Sequence, residues 1–166
     1  MENITSIGVL GMGSFGKLII QLSPKHVVTT TYQRSDTDEQ FEKVAKCDVL
    51  FLAIPLSSYP EILSRLRTII PSTTMLVDVC SVKMEPQRLI KELLPDHDNI
   101  LLTHPLFGPE SYSIEKKHTL IVTTKTSTAG DELLDYCQKN LGIQILHMSS
   151  KEHDERMADV HALTFF

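Results

Sequence analysis

Three segments concentrate the side chains able to do acid–base chemistry. They are Asp78-Val79-Cys80-Ser81-Val82-Lys83, the run from Thr103 to Ser111, and His153-Asp154 on the closing segment. His104 follows an apolar run and precedes Pro105, and a proline holds the residue before it in extended geometry. An imidazole with an ordinary pKa of about 6.5 is a neutral base at cellular pH. Ser81 is placed to share a hydrogen bond with that imidazole or with a substrate hydroxyl. A lone histidine at a strand end is more often structural than catalytic, so His104 has to be weighed with the rest of the chain. A Ser-His hydrolase is a poor fit, because no G-x-S-x-G turn carries Ser81. The seven histidines are scattered, with neither C-x-x-C nor H-E-x-x-H, so no metal site is indicated. Cys80 reads as a buried strand-end thiol rather than a reactive one.

What raises His104 above the ordinary is a glycine-rich turn near the N-terminus. Gly11-Met12-Gly13-Ser14-Phe15-Gly16 matches G-x-G-x-x-G between an apolar strand and a helix. The first glycine permits the tight turn, the second lets a pyrophosphate approach the backbone, and the third lets helix pack on strand. The helix N–H groups and dipole then face the phosphates. The bare pattern also occurs in turns that bind nothing, but here strand, helix and following βαβ order agree. An NAD site usually carries Asp or Glu at the end of the second strand, about 20 residues on. This chain reads Gln33-Arg34-Ser35-Asp36 there, and Asp36 falls beyond the strand. Arg34 and Ser35 supply a guanidinium and a hydroxyl suited to a 2′-phosphate, which favours NADP, with NAD second. The bland alternative for Arg34 is a solvated loop charge. Pro55, just past the third strand, is assigned to the cofactor with these residues.

These groups need a scaffold, and short β-branched runs alternate with helical patterns to provide one. Strands are read over 4–10, 27–32, 49–54, 75–79, 100–103, 120–124 and 143–147. Helices are read over 15–22, from Ser57 or Ser58 to Arg67, over 85–94 and over 130–140, with Gly142 as a stop signal. The run Val49 to Ile54 is wholly apolar, as a strand buried on both faces should be. The order implies an α/β fold: a doubly wound, mainly parallel Rossmann-type sheet with helices on both faces. A last helix is capped by Ser149-Ser150, and its apolar content rises toward Phe165 and Phe166 without a terminal cap. Residues 1–149 are therefore read as the dinucleotide-binding domain. Residues 150–166 are read as the first helix leading toward further packed structure.

The chain has 166 residues, is 42% hydrophobic and carries a net charge of −5, with 16 basic against 21 acidic side chains. That suits one globular domain and argues against general affinity for nucleic acid or an anionic membrane. The six-residue apolar run at Val49 is far short of the roughly 20 residues that span a bilayer. Three cysteines, Cys47, Cys80 and Cys137, are an odd number in a chain that needs no staples, which favours reduced thiols and the cytoplasm.

The segments Asp78–Lys83, His104-Pro105-Leu106-Phe107-Gly108-Pro109-Glu110-Ser111 and His153-Asp154-Glu155-Arg156-Met157-Ala158, following the Gly11–Gly16 turn, resemble the prephenate/arogenate dehydrogenase family. Four motifs in order cover nearly the whole chain. The resemblance implies oxidative decarboxylation of prephenate to 4-hydroxyphenylpyruvate, or of arogenate to tyrosine. It implies His104 as the base on the ring 4-hydroxyl and Ser81 as its partner. Glu110 falls where some members place a polar active-site carboxylate, and Lys83 is read as support for its loop. The Arg34-Ser35 pair and the Gly-Pro-Glu-Ser run look more like the NADP-linked arogenate branch.

Two departures qualify the resemblance. Family members commonly carry a histidine where this chain has Phe165. Their site is completed by a helical C-terminal domain that forms a homodimer and supplies an arginine to the substrate carboxylate, and these 166 residues are not expected to include it. The chain alone is then expected to bind NADP with little turnover. If the source is a plant, the expected compartment becomes the plastid stroma. Two competing readings remain. One is a different dehydrogenase of the same fold, which would lack the His-Pro-x-Phe-Gly-Pro segment. The other is a non-catalytic dinucleotide-binding module, which the presence of both His104 and Ser81 disfavours and the lack of a second domain favours.

Overall fold

A computed structural model describes residues 1, 3–113 and 115–164, with side chains outside 160–164. The expectations at Phe165 and Phe166 lie outside these residues. Seven strands form one sheet: β1 (Ser6–Leu10), β2 (Val28–Tyr32), β3 (Val49–Leu52), β4 (Met75–Asp78), β5 (Ile100–Pro105), β6 (His118–Lys125) and β7 (Ile143–His147). Their order is β2-β1-β3-β4-β5-β6-β7. All neighbouring pairs are parallel except β5 and β6, which run antiparallel. The helices are α1 (Ser14–Leu22), α2 (Asp38–Ala45), α3 (Tyr59–Leu66), α4 (Met84–Leu93), α5 (Ala129–Lys139) and α6 (Ser150–Thr164).

Strand alternation explains the apolar run of β3. Val49 and Phe51 enter one core layer, and Leu50 and Leu52 the other. Met75 and Val77 of β4 join the first of these, with α1 and α5, and Leu76 joins the second, with α2, α3 and α4. Each such fully buried side chain contributes about 1.5–3 kcal/mol through removal from water. The period of two then sends Asp78 toward the second layer, which also contains Tyr59.

The structure corrects several expectations. Residues 38–45 form α2, which the apolar pattern alone did not reveal. The Thr37 hydroxyl caps it by accepting from the Gln40 N–H at 3.2 Å. Its Phe41, Val44 and Ala45 are buried at helical spacing. The serines before α3 give no side-chain cap. They lie at or within a 3₁₀ turn, Leu56–Ser58, and Pro60 occupies the first turn of α3. The fifth strand runs through His104 to Pro105 rather than ending at Thr103, because β6 pairs with it from the opposite direction, His104 against Ile121. The stop at Gly142 is real, with φ +65°. No helix among the described residues is long and apolar enough to cross a membrane.

Candidate active site

The glycine turn sits where the sheet order reverses, with β2 on one side of β1 and β3 on the other. Such a switch point opens a crevice at the carboxyl ends of the strands. Gly11 has φ +102°, and a Cβ there would come 2.2 Å from the Ala53 carbonyl oxygen. A Cβ on Gly16 would come 2.0 Å from the Gly11 carbonyl oxygen, so α1 packs against the turn only because that residue is glycine. Gly13 differs. Its φ of −65° and ψ of −176° suit any residue, and a Cβ would meet nothing within 4 Å. The fold gives no internal reason for a bare backbone at Gly13, whereas a ligand lying against the chain does. Gly13 is also the N-cap of α1. That helix start has no side-chain cap and, unlike those of α2 to α6, no acidic residue in its first turn. A pyrophosphate fits this donor set.

Beside the turn lies a cleft of about 430 Å³ whose walls include Gly11, Met12, Gly13, Arg34 and Pro55. Arg34 is highly exposed and stands 3.6 Å from Glu61. Ser35, next along the β2–α2 connection, is exposed too. The Asp36 carboxylate accepts the Gln33 N–H at 2.9 Å, which engages it in its own turn. The Phe15 side chain packs into the apolar layer under α1 and α5, so only its backbone faces the turn.

Further along the same sheet edge, β4 and β5 bring the acid–base groups together. Asp78 and Lys83 are fully buried and ion-paired. Tyr59 donates its hydroxyl to Asp78 at 2.5 Å, and the Cys80 N–H donates to the same carboxylate at 3.1 Å. Lys83 Nζ also donates to the Thr103 carbonyl at 2.5 Å, and the Thr103 hydroxyl donates to the Asp78 carbonyl at 2.7 Å. Burial pushes the Asp78 carboxyl up and the Lys83 ammonium down, and each charge pulls the other back. The network ties β4, β5 and α3 together immediately before His104.

His104 is half-buried, and its Nδ1 lies 2.8 Å from Nε2 of His153 on α6. His153 is fully buried, and its Nδ1 lies 2.7 Å from the Asp154 carboxylate. Asp154 in turn accepts the backbone N–H groups of Lys83 and Met84 at 2.8 and 2.9 Å, at the start of α4. Partial burial pushes the Asp154 carboxyl up, but hydrogen bonds from Met84, His153 and Lys83 outweigh it and hold the group below the usual carboxylate range. An ionised carboxylate only accepts, so a neutral His153 carries its proton on Nδ1 and accepts at Nε2. His104 must then donate from Nδ1, which puts its own lone pair on Nε2.

Ser81 and Glu110 are both exposed, Ser81 before α4 and Glu110 in the β5–β6 connection. That connection is rooted by Tyr112 stacked on His118 at 4.8 Å, with Phe107 against both rings. The group held on His104 Nδ1 is thus an imidazole from α6 rather than a serine. Sequence reasoning placed His153 near the chemistry but gave it no role, and the His-Asp doublet opening a helix was the available signal. The cysteines are free thiols, and burial pushes that of Cys80 up, away from reactivity.

Glycine turn, switch point and layered sheet together define a dinucleotide-binding domain of the Rossmann type. Residues 19–131 match the family model described as "Prephenate dehydrogenase, nucleotide-binding domain". The chain therefore belongs to the prephenate dehydrogenase family. The match takes in Ser81, His104 and Glu110; the glycine turn and His153 lie outside it and rest on their own geometry. Arogenate dehydrogenase 2, chloroplastic, of Arabidopsis thaliana is 31% identical over 89% of this chain and 48% of its own length. Arogenate dehydrogenase 1, chloroplastic, of the same plant is 28% identical over 95% of this chain and 28% of its own. The T-protein of Enterobacter agglomerans is 26% identical over 94% and 41%. The chain thus spans less than half the length of these relatives. Among solved structures, prephenate dehydrogenase from A. aeolicus in complex with hydroxyphenyl propionate and NAD+ superposes with a TM-score of 0.73 at 19% identity, over 92% of this chain and 62% of that one. Synechocystis arogenate dehydrogenase gives 0.65 at 19% identity, over 92% and 63%. Both share the fold.

Proposed function

We propose that this chain is the cofactor-binding and proton-abstracting part of an NADP-dependent arogenate or prephenate dehydrogenase. The observation that carries the reading is the hydrogen-bonded series Asp154–His153–His104 at the sheet edge that also bears the glycine turn. β1 and β5 are three strand spacings apart, about 14 Å, a span suited to an extended dinucleotide. The backbone from Gly11 to Gly16, including the N–H groups of Ser14 and Phe15, would hold the pyrophosphate. Met12 and Pro55 would flank the adenosine end, and Arg34 with Ser35 would take the 2′-phosphate. When bound, the dinucleotide supplies the hydride acceptor.

His104 Nε2 accepts the proton of the substrate's ring 4-hydroxyl while Nδ1–H stays on His153. The positive charge that develops is stabilised through His153 by Asp154. The network beneath Thr103 keeps the strand carrying His104 in register. Ser81 and Glu110 offer polar contacts to the substrate. Loss of the ring carboxyl as carbon dioxide makes the ring aromatic, which drives the reaction, so the protein's task is alignment and removal of one proton. The two Arabidopsis relatives, both arogenate dehydrogenases, support arogenate as the first substrate to try.

The test is titration of the chain with NADP and NAD, followed by cofactor reduction with arogenate and then prephenate. Binding of NADP is expected, with slow substrate-dependent reduction that His104→Ala abolishes. Binding without reduction by either substrate would favour a dinucleotide-binding module lacking dehydrogenase activity of its own. Absence of binding would remove both readings.

A further inference from the structure

The cleft beside the glycine turn has a second cation that the β2 signature does not announce. Arg65, on α3, lies in its wall along with Arg34. Its guanidinium stacks on Phe41, 3.8 Å from the ring centroid, and donates to the Tyr32 hydroxyl at 3.0 Å. These contacts fix a planar, always-charged fork before any ligand arrives. Its remaining partner is Asp38, at 2.7 Å, whose carboxylate is 95% exposed. Arg34 is likewise held by Glu61, at 3.6 Å and 60% exposed. Both carboxylates are exposed to solvent and screened by it, so a doubly charged phosphate can displace them. Asp36 accepts the Gln33 N–H within its own turn at 2.9 Å.

We propose that Arg65 is a second specificity-determining residue for NADP, closing on the 2′-phosphate from the α3 side while Arg34 closes from the β2 side. Asp38 and Glu61 occupy the two guanidinium groups until the phosphate takes their place. This deepens the NADP reading above and rests on it. Because Asp38 and Glu61 keep their partners when no 2′-phosphate is present, discrimination against NAD falls on the pair of arginines rather than on either alone.

The experiment measures dissociation constants for NADP and NAD on the intact chain and on Arg65→Gln, Arg65→Lys and Glu61→Gln. Arg65→Gln is expected to weaken NADP about tenfold or more, as loss of a charge-assisted bond to phosphate does, with NAD affinity unchanged. Arg65→Lys should fall between wild type and glutamine, keeping the charge but losing the fork. Glu61→Gln should tighten NADP alone, by removing a competing anion. On the wild-type chain, 2′,5′-ADP should compete better than 5′-AMP, by a margin that shrinks as salt is added. Equal weakening of NADP and NAD in Arg65→Gln would mean a structural role for the Phe41 stack and would overturn the proposal. Wild-type chain that binds both cofactors equally would overturn it while leaving the dinucleotide site intact. Failure of both cofactors to bind would instead remove the underlying site, and the proposal with it.

Discussion

His104 and His153 meet Nδ1 to Nε2 at 2.8 Å across 49 residues of sequence, their rings nearly edge to face. The contact makes the state of a β5 side chain depend on the seating of α6. Asp154 secures that seating by accepting two N–H groups at the start of α4. One carboxylate therefore anchors a helix and, where His153 is neutral, sets the donor and acceptor roles of two histidines.

If His153 positions the base, removing its acceptor should cost turnover rather than binding. His153→Phe is expected to lower kcat by about 10²-fold or more, within the range of general-base effects, while KM and NADP affinity hold. Steady-state kinetics separate the two, and a rise in KM with unchanged kcat would assign His153 to substrate binding.

Asp154 makes a stability prediction with a definite pH sign. Its folded-state pKa lies below the ordinary value of 3.8, so its contribution is fully present above that pH and fades as pH falls through the folded value. Asp154→Ala should destabilise by about 1 kcal/mol at neutral pH, as loss of the side-chain acceptors at a helix start does. Denaturant midpoints of variant and wild type should converge below about pH 3.8.

The buried Asp78–Lys83 pair should be costly to break from one side. Lys83→Met leaves an uncompensated buried carboxylate and is expected to cost about 3–5 kcal/mol. Adding Asp78→Leu should recover part of that loss, measured by urea unfolding of the single and double variants. A single variant within 1 kcal/mol of wild type would show that the pair does not hold β4 against β5.

The glycines separate ligand from fold. Gly13→Ala should weaken NADP and NAD alike with an unchanged unfolding midpoint, since its Cβ meets no protein atom. Gly16→Ala should instead destabilise the chain, because its Cβ would enter the Gly11 carbonyl. Cofactor titration beside thermal unfolding reads both effects.

Much of this was legible because it is local. The uninterrupted apolar run of β3, the glycine turn and the stop at Gly142 each follow from backbone geometry or burial on two faces. Helix α2 was missed because only Phe41, Val44 and Ala45 of its eight residues are buried. Its Thr37-x-x-Gln40 cap was the signal to weigh more heavily. The sequence shows Lys83 only as a loop residue, because its role depends on Tyr59 from a distant helix and on the Thr103 carbonyl. His153 needed tertiary docking to reveal its partner, and so did Arg65, whose ring contacts lie on β2 and α2. In both cases the chemistry-bearing residue was visible while its counterpart was far away in sequence.

The central claim is that His104 holds its proton on Nδ1 and presents Nε2 as the base. Nitrogen-15 NMR of the histidine rings reads this directly at neutral pH, on the chain as it stands. The expected result is the Nδ1–H tautomer for both His104 and His153, with His104 changing when His153 is replaced by Phe. A His104 carrying its proton on Nε2 in the wild-type chain would contradict it.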